Sequence, residues 1–408
     1  MNVQCLRCKG RGFCGREACP HIINSEARFK ISKNIEKQDF VGSSPSCFVG
    51  RVGYPKLHVG ILSPVEVTQD AWLYDAPRYW AHNNMGIPNI VDYRSSLINS
   101  RFVVHAHDSH KMLDIAQEVG MASAPVDVEV NLEEKPKFRL NPDSVVAPTG
   151  PNANIKNAKI TSNPKIHTKV DKVVSDFDLK ANDALLYLYK NKFDENFLSK
   201  ILSVGTLGVK NNRKLVPTRW SIASVDSTIG NHLTEKIKEY SQIGFFAYFG
   251  GYLGNYYLIL FFPEVYSYEL FETYMPKASW NISSQINYTT DYEPYQGRTS
   301  YAENCAGGFY ASRIAILEKL ENIKKQGSVL CLRFITGEYS IPLGVWVVRE
   351  ATRKALENKP LEFASKELML RYAELLIKKK FNFDLNKIIK DSVILKNMKE
   401  QSKLDQFL

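Results

Sequence analysis

Apolar positions change period several times along this chain. Phe48-Val-Gly-Arg-Val-Gly-Tyr-Pro55 and Leu57-His-Val-Gly-Ile-Leu62 are apolar stretches punctuated by glycine, the pattern of short strands joined by tight turns. Strands are predicted at 101–107 and 126–132, with a helix over 111–119 between them. From Glu133 to Val170 proline, asparagine and lysine displace any apolar period, so a long connection is expected there. Helices are predicted at 183–190, 195–203 and 232–240, and a strand at 220–225. A buried hairpin pairs 244–250 with 256–262. A long helix over 301–326 is expected to end at Gly327, before strands at 328–335 and 343–348. The last helix, 365–381, carries Glu367 in its first turn and Lys378, Lys379 and Lys380 in its last, which suits the helix dipole.

The fold class is therefore mixed α/β (α+β), with two lobes. At 408 residues the chain is long enough for two or three domains. Six segments are expected. Residues 1–45 form a zinc-binding module and linker, 46–133 an N-terminal α/β lobe, and 134–175 the Pro/Asn/Lys-rich connection. Residues 176–350 form the main α/β lobe, 351–396 a helical C-terminal region, and 397–408 a flexible tail. No apolar run reaches the length of a bilayer span, since Pro263 ends the longest at Tyr256–Phe262. Cysteine and arginine stand where a signal peptide would be apolar, so a cytoplasmic protein with no membrane partner is expected. A net charge of +10 suits a polyanionic partner, although such an excess also simply keeps proteins soluble.

Cysteine spacing adds a metal. Four of the seven cysteines, Cys5, Cys8, Cys14 and Cys19, fall close together among glycines, as in a structural zinc site with four thiolates. His21 is a possible substitute for one of them. Arg7, Lys9, Arg11 and Arg16 on the same loop either follow a phosphate backbone or offset the thiolate charge.

The segment Gln401-Ser-Lys-Leu404-Asp-Gln-Phe407-Leu408 places an aliphatic, an aromatic and a leucine on one side of a short helical turn, with the glutamine offset. This resembles the PCNA-interacting peptide of DNA repair and replication proteins. The alternative is a tail docked on its own protein.

Arg213-Lys-Leu-Val-Pro-Thr-Arg-Trp-Ser221, the Phe48–Pro55 block, Gly344-Val-Trp-Val-Val-Arg-Glu350 and the four-cysteine knuckle, with the final motif, resemble the archaeal Nre DNA repair proteins over essentially the whole chain. The resemblance implies a role in repairing damaged DNA and an association with PCNA. It supplies no reaction.

Three constellations remain as candidate chemistry. Arg213, Lys214, Arg219 and Trp220 combine cations with an indole, suiting phosphate neutralisation and base stacking, with Asp226 beyond them. Core packing of Trp220 is the competing account. Asp291 and Glu293, with Arg298 nearby and Glu269 and Glu272 on an expected helix, could hold magnesium or manganese, or else form ordinary ion pairs. His105 and His107 would share one side of a strand, as half of a metal site or as structural groups. The reading is a DNA repair factor that binds DNA and is recruited to the clamp. The alternatives are a metal-dependent DNA-processing enzyme, nuclease or glycosylase-like, and a nucleotide- or RNA-modifying enzyme.

Overall fold

The computed structural model describes residues 37–137, 150–281 and 283–400. In Lys56–Ser63 alternation sends Leu57, Val59 and Ile61 inward and leaves Lys56 and His58 exposed. This strand, β3, follows β1 (Asp39–Ser44) and β2 (Ser46–Val49). Helices α1 (Pro77–His82) and α2 (Ile87–Ser96) lead to β4 (Ile98–His105). Helix α3 (Lys111–Met121), β5 (Val126–Leu132) and β6 (Asn152–Ile160) complete the first sheet. Its order is β1-β5-β6-β4-β3-β2, antiparallel throughout except for the β4/β6 pair. The inner face packs Leu57, Val59, Phe102, Val104, Val128 and Val130 with Leu113, Ala116 and Val119 of α3. The outer face stays largely open to solvent.

Strand β6 corrects the expected connection over 134–175. Ala153, Ile155 and Ala158 turn inward while Asn154, Lys156 and Asn157 turn outward, so a polar text still builds a central strand. A register shift at Asn131/Leu132 breaks its alternation.

Helices α4 (Thr168–Ser175), α5 (Ala181–Lys190), α6 (Glu195–Ser203) and α7 (Thr218–Ile237) come next. The strand expected over 220–225 is instead the opening of α7. Val225, Ile229, Leu233 and Ile237 are buried four residues apart. Each such burial is worth about 1.5–3 kcal/mol, against at most about 0.7 kcal/mol per residue of helix-propensity cost for the β-branched side chains. Burial wins.

The chain divides into two compact units, one holding described residues up to Ile229 with Ile341–Leu343, the other Gly230–Ser340 and residues from Gly344 onward. The second unit is built on β7 (Phe245–Tyr252), β8 (Asn255–Phe262), β9 (Ser267–Tyr274), β10 (Asn287–Glu293), α8 (Gly307–Ile323) and β11 (Ser328–Ile335). Helix α9 (Trp346–Glu357), β12 (Leu361–Phe363), α10 (Lys366–Phe381), α11 (Asn386–Ile389) and α12 (Val393–Glu400) follow. The sheet order is β10-β9-β11-β8-β7-β12, with β9/β11 the parallel pair. Leu253 and Gly254, both at positive φ, close the expected hairpin with a two-residue loop. One face packs Leu258, Leu260, Leu330 and Leu332 against Met369, Ala373 and Ile377 of α10.

Two further expectations change here. Residues 343–348 enter helix α9 rather than a strand. Helix α8 ends at a left-handed Lys324, not at Gly327, which sits where a Cβ would lie 2.4 Å from the Ile243 side chain. Ser365 caps α10 by accepting from the Leu368 amide. Among the described residues no helix is long and apolar enough to cross a membrane.

Candidate nucleic-acid interface

Pro217 opens α7, its carbonyl accepting from the amides of Trp220 and Ser221. The Thr218 hydroxyl accepts from the Val49 amide at 2.9 Å, tying the helix start to the end of β2. Ala106, just past β4, donates its amide to Pro55 and accepts from that of Leu215, both within 2.9 Å. Three stretches singled out in the sequence thus meet at one corner of the first sheet: Phe48–Pro55, His105–His107 and Arg213–Ser221.

Trp220 is 46% exposed and Tyr54 40%, with ring centroids 5.3 Å apart and planes tilted by 52°. Arg51, Lys214 and Arg219 are exposed in these stretches, as is Lys56 immediately after the first of them. His105 and His107 are exposed with rings 6.2 Å apart, close to Lys56 through the pairing of Lys56 with His105. An indole and a phenol beside several cations can stack bases and neutralise phosphates. Tyr54, Arg51, Phe48 and Lys56 were not singled out as contacts from sequence. Arg51-Val-Gly-Tyr54 repeats the cation-near-aromatic signature of Arg219-Trp220 and would have flagged them.

Arg213 stands apart. Its guanidinium donates to the carbonyls of Gly208, Val174 and Asp176 at 2.7–2.8 Å and lies 4.4 Å over the Phe177 ring. Burial lowers its pKa. Its donors hold three backbone segments together. Asp226 is buried on α7, six residues beyond exposed Trp220 and so on a different side of the helix. The two do not form one site.

The acidic group lies in the second unit. Glu269 and Glu272 are on strand β9, not on a helix, and three residues apart they face opposite sides of the sheet. The Glu269 carboxylate accepts from the Ser392 hydroxyl at 2.5 Å and from the Val393 and Ile394 amides at the start of α12. Burial raises its pKa against these donors. Glu272 pairs with Arg333, whose guanidinium also donates to Asn255. Asp291 and Glu293 do share a face, as expected, but both are buried. Asp291 accepts from the Cys305 amide at 2.7 Å and lies 3.4 Å from Arg298, while Glu293 pairs with Arg313 at 2.6 Å. Burial raises the Glu293 pKa, with Arg313 opposing it. Arg298 also donates to the carbonyls of Tyr292, Ser300 and Tyr301. Each carboxylate has a partner within the framework, an arginine for Glu272, Asp291 and Glu293 and hydrogen-bond donors for Glu269, although Glu293 Oε2 itself receives no hydrogen bond. Among the described residues no three His, Cys, Asp or Glu side chains gather to hold a metal ion. Burial also pushes the Cys47 thiol up to about 12 and raises those of Cys305 and Cys331, consistent with packing roles.

Cys5, Cys8, Cys14, Cys19 and His21, and likewise Gln401, Leu404, Phe407 and Leu408, lie outside the described residues.

Residues 13–281 match the archaeal Nre N-terminal family and residues 293–407 the archaeal Nre C-terminal family. The chain belongs to the archaeal Nre family. A protein of Archaeoglobus fulgidus named DNA repair protein NreB is 35% identical over 98% of this chain and 99% of its own length. DNA repair protein NreA of the same organism is 38% identical over 90% of this chain and 91% of its own length. DNA repair protein NreA of Haloferax volcanii is 37% identical over 83% of each. No solved structure matches the chain. The N-terminal match ends after β9 and the C-terminal match begins at Glu293, the last residue of β10, so the break falls inside the second sheet and the Nre halves are not the two compact units.

Proposed function

We propose that this chain is a DNA repair factor that binds DNA through the first sheet and is recruited to the sliding clamp PCNA through Gln401, Leu404, Phe407 and Leu408. The observation that carries the DNA-binding part is the exposed Trp220–Tyr54 pair bordered by Arg51, Lys56, Lys214 and Arg219. The names of the Archaeoglobus and Haloferax relatives support a repair role. The clamp part rests on the spacing of the four recognition residues, which suits a small apolar plug and a separate polar contact. Such a tether raises local concentration at the clamp without a large permanent interface. The clustered cysteines serve as a structural zinc module on this reading.

The test is a truncation that removes residues 401–408 and so leaves α12 whole, followed by titration against PCNA and against DNA in parallel. Clamp binding is expected to vanish while DNA binding stays within about twofold, since the two contacts are energetically independent. Clamp binding that survives truncation contradicts the tether. DNA binding lost with the tail contradicts the assignment of DNA to the first sheet.

A further inference from the structure

We infer that the DNA held by the first sheet is single-stranded and crosses its open face with bases stacked on Trp220, Tyr54 and Phe48, a conclusion that rests on the DNA-binding reading above. The argument begins with the rings. Trp220, Tyr54 and Phe48 are 46%, 40% and 41% exposed, which is costly for such large apolar groups unless a partner covers them. Stacking on a ring requires an unpaired base, whereas a duplex buries its base faces and offers phosphates and groove edges.

Strand register orders the rest of the face. Phe48, Gly60, Arg101 and Asn154 form one row across β2, β3, β4 and β6. Nearer the Trp220 corner, His58 pairs with Val103 and Lys56 with His105. Apart from Gly60, which has no side chain, these residues point outward, and none of them is a carboxylate. The acids on the strands of this face, Asp39, Asp127 and Glu129, lie on β1 and β5 at the other side of the sheet, and Glu134 at the β4/β6 end is neutralised by Lys137. A polyanion is therefore steered onto the β2–β3–β4 half and away from β1.

At the β4/β6 side a cavity of about 310 Å³ is lined by His58, Arg101, Asn152 and Asn154 together with the ion pair of Glu134 and Lys137. Its volume lies at the small end of ligand sites, roughly 300–1,000 Å³. Carboxamides beside a guanidinium suit the polar edge of an unpaired base and its phosphate. The open face thus offers rings at one end and hydrogen-bonding groups at the other, with cations between. A flat strand surface of this kind matches a splayed strand of nucleotides better than a helical groove.

The experiment uses the full chain and measures fluorescence anisotropy with a labelled oligothymidine strand and with a blunt duplex of equal length. The single strand is expected to bind about tenfold or more tighter than the duplex, as base stacking adds to phosphate contact. Trp220→Ala and Tyr54→Ala should each weaken single-strand binding by about tenfold and leave duplex binding within about twofold, while Trp220→Phe retains most of it. Circular dichroism of each variant confirms the fold. Equal or tighter binding of the duplex, or equal weakening of both ligands, overturns the single-strand inference and leaves DNA binding in place. Tighter binding of an oligouridine strand overturns it in favour of RNA. Absence of binding to any nucleic acid overturns both this inference and the function on which it rests.

Discussion

The first sheet and the second sheet use charge in opposite ways. On the open face of the first, cations sit in solvent beside exposed rings, with the strand-borne acids on β1 and β5. In the second unit Glu272, Glu293 and Asp291 are buried, and each faces an arginine at ion-pair distance. Burying a charge is expensive unless it is paired, so those partners are a condition of folding. Exposed cations carry no such condition. The lesson is that a sequence rich in carboxylates is not a catalytic site until its charges are left unmatched, whereas an unmatched cation next to a ring is open to a ligand.

The contrast can be broken most forcefully at Arg313. Replacing it with alanine leaves Glu293 buried without its partner and should destabilise the protein by about 3–5 kcal/mol, read from urea unfolding, with DNA affinity unchanged at a temperature where the variant is folded. A loss under about 1 kcal/mol would mean the pair behaves like an exposed one. Arg213 sharpens the boundary, because it lies in the interface segment yet serves the backbone. Arg213→Ala should cost about 1–3 kcal/mol for the unsatisfied carbonyls and leave the salt dependence of DNA binding intact. A shallower salt slope without loss of stability would return Arg213 to the interface. The smallest effect is expected at Glu321, a partly exposed acid on α8. Burial raises its pKa, but hydrogen bonds from Lys236, Lys324 and Tyr240 outweigh this and hold it at about 2. A depressed pKa gives stability that is present above the ordinary 4.5 and is lost as pH falls through about 2. Glu321→Gln should therefore flatten the acid limb of stability over that window, lowering stability at neutral pH and leaving it nearly unchanged below about pH 2. An identical acid limb would show that the three donors do not act on this carboxylate.

Much of the fold was legible where local pattern and packing agree. Strands β5 and β11 and helix α6 match the expected limits, since alternation in β5, a short continuous buried run in β11 and an amphipathic period in α6 each reach a clear break. Helices α7 and α9 were obscured by their openings. Trp220-Ser-Ile-Ala-Ser-Val225 and Val345-Trp-Val-Val348 are rich in residues that favour strands, and only the four-residue spacing farther along reveals a helix. The acidic set misled for a different reason. Glu272 and Ser392 find their roles through partners 61 and 123 residues away respectively, Arg333 for Glu272 and Glu269 for Ser392, and no local pattern encodes such pairings. The interface was half legible: Arg219, Trp220, His105 and His107 were visible as motifs. Their meeting with Tyr54 depends on the hydrogen bonds from Ala106 to Pro55 and from Leu215 to Ala106.

The most direct test of the account is the salt dependence of DNA binding by the full chain and by the triple variant Lys56→Ala/Lys214→Ala/Arg219→Ala. If these cations meet phosphates, the slope of log affinity against log salt should fall by about 2 units, at about 0.7 per lost contact with a single strand, with the unfolding midpoint unchanged. A slope equal to that of the unmodified chain would contradict the assignment of DNA to the first sheet.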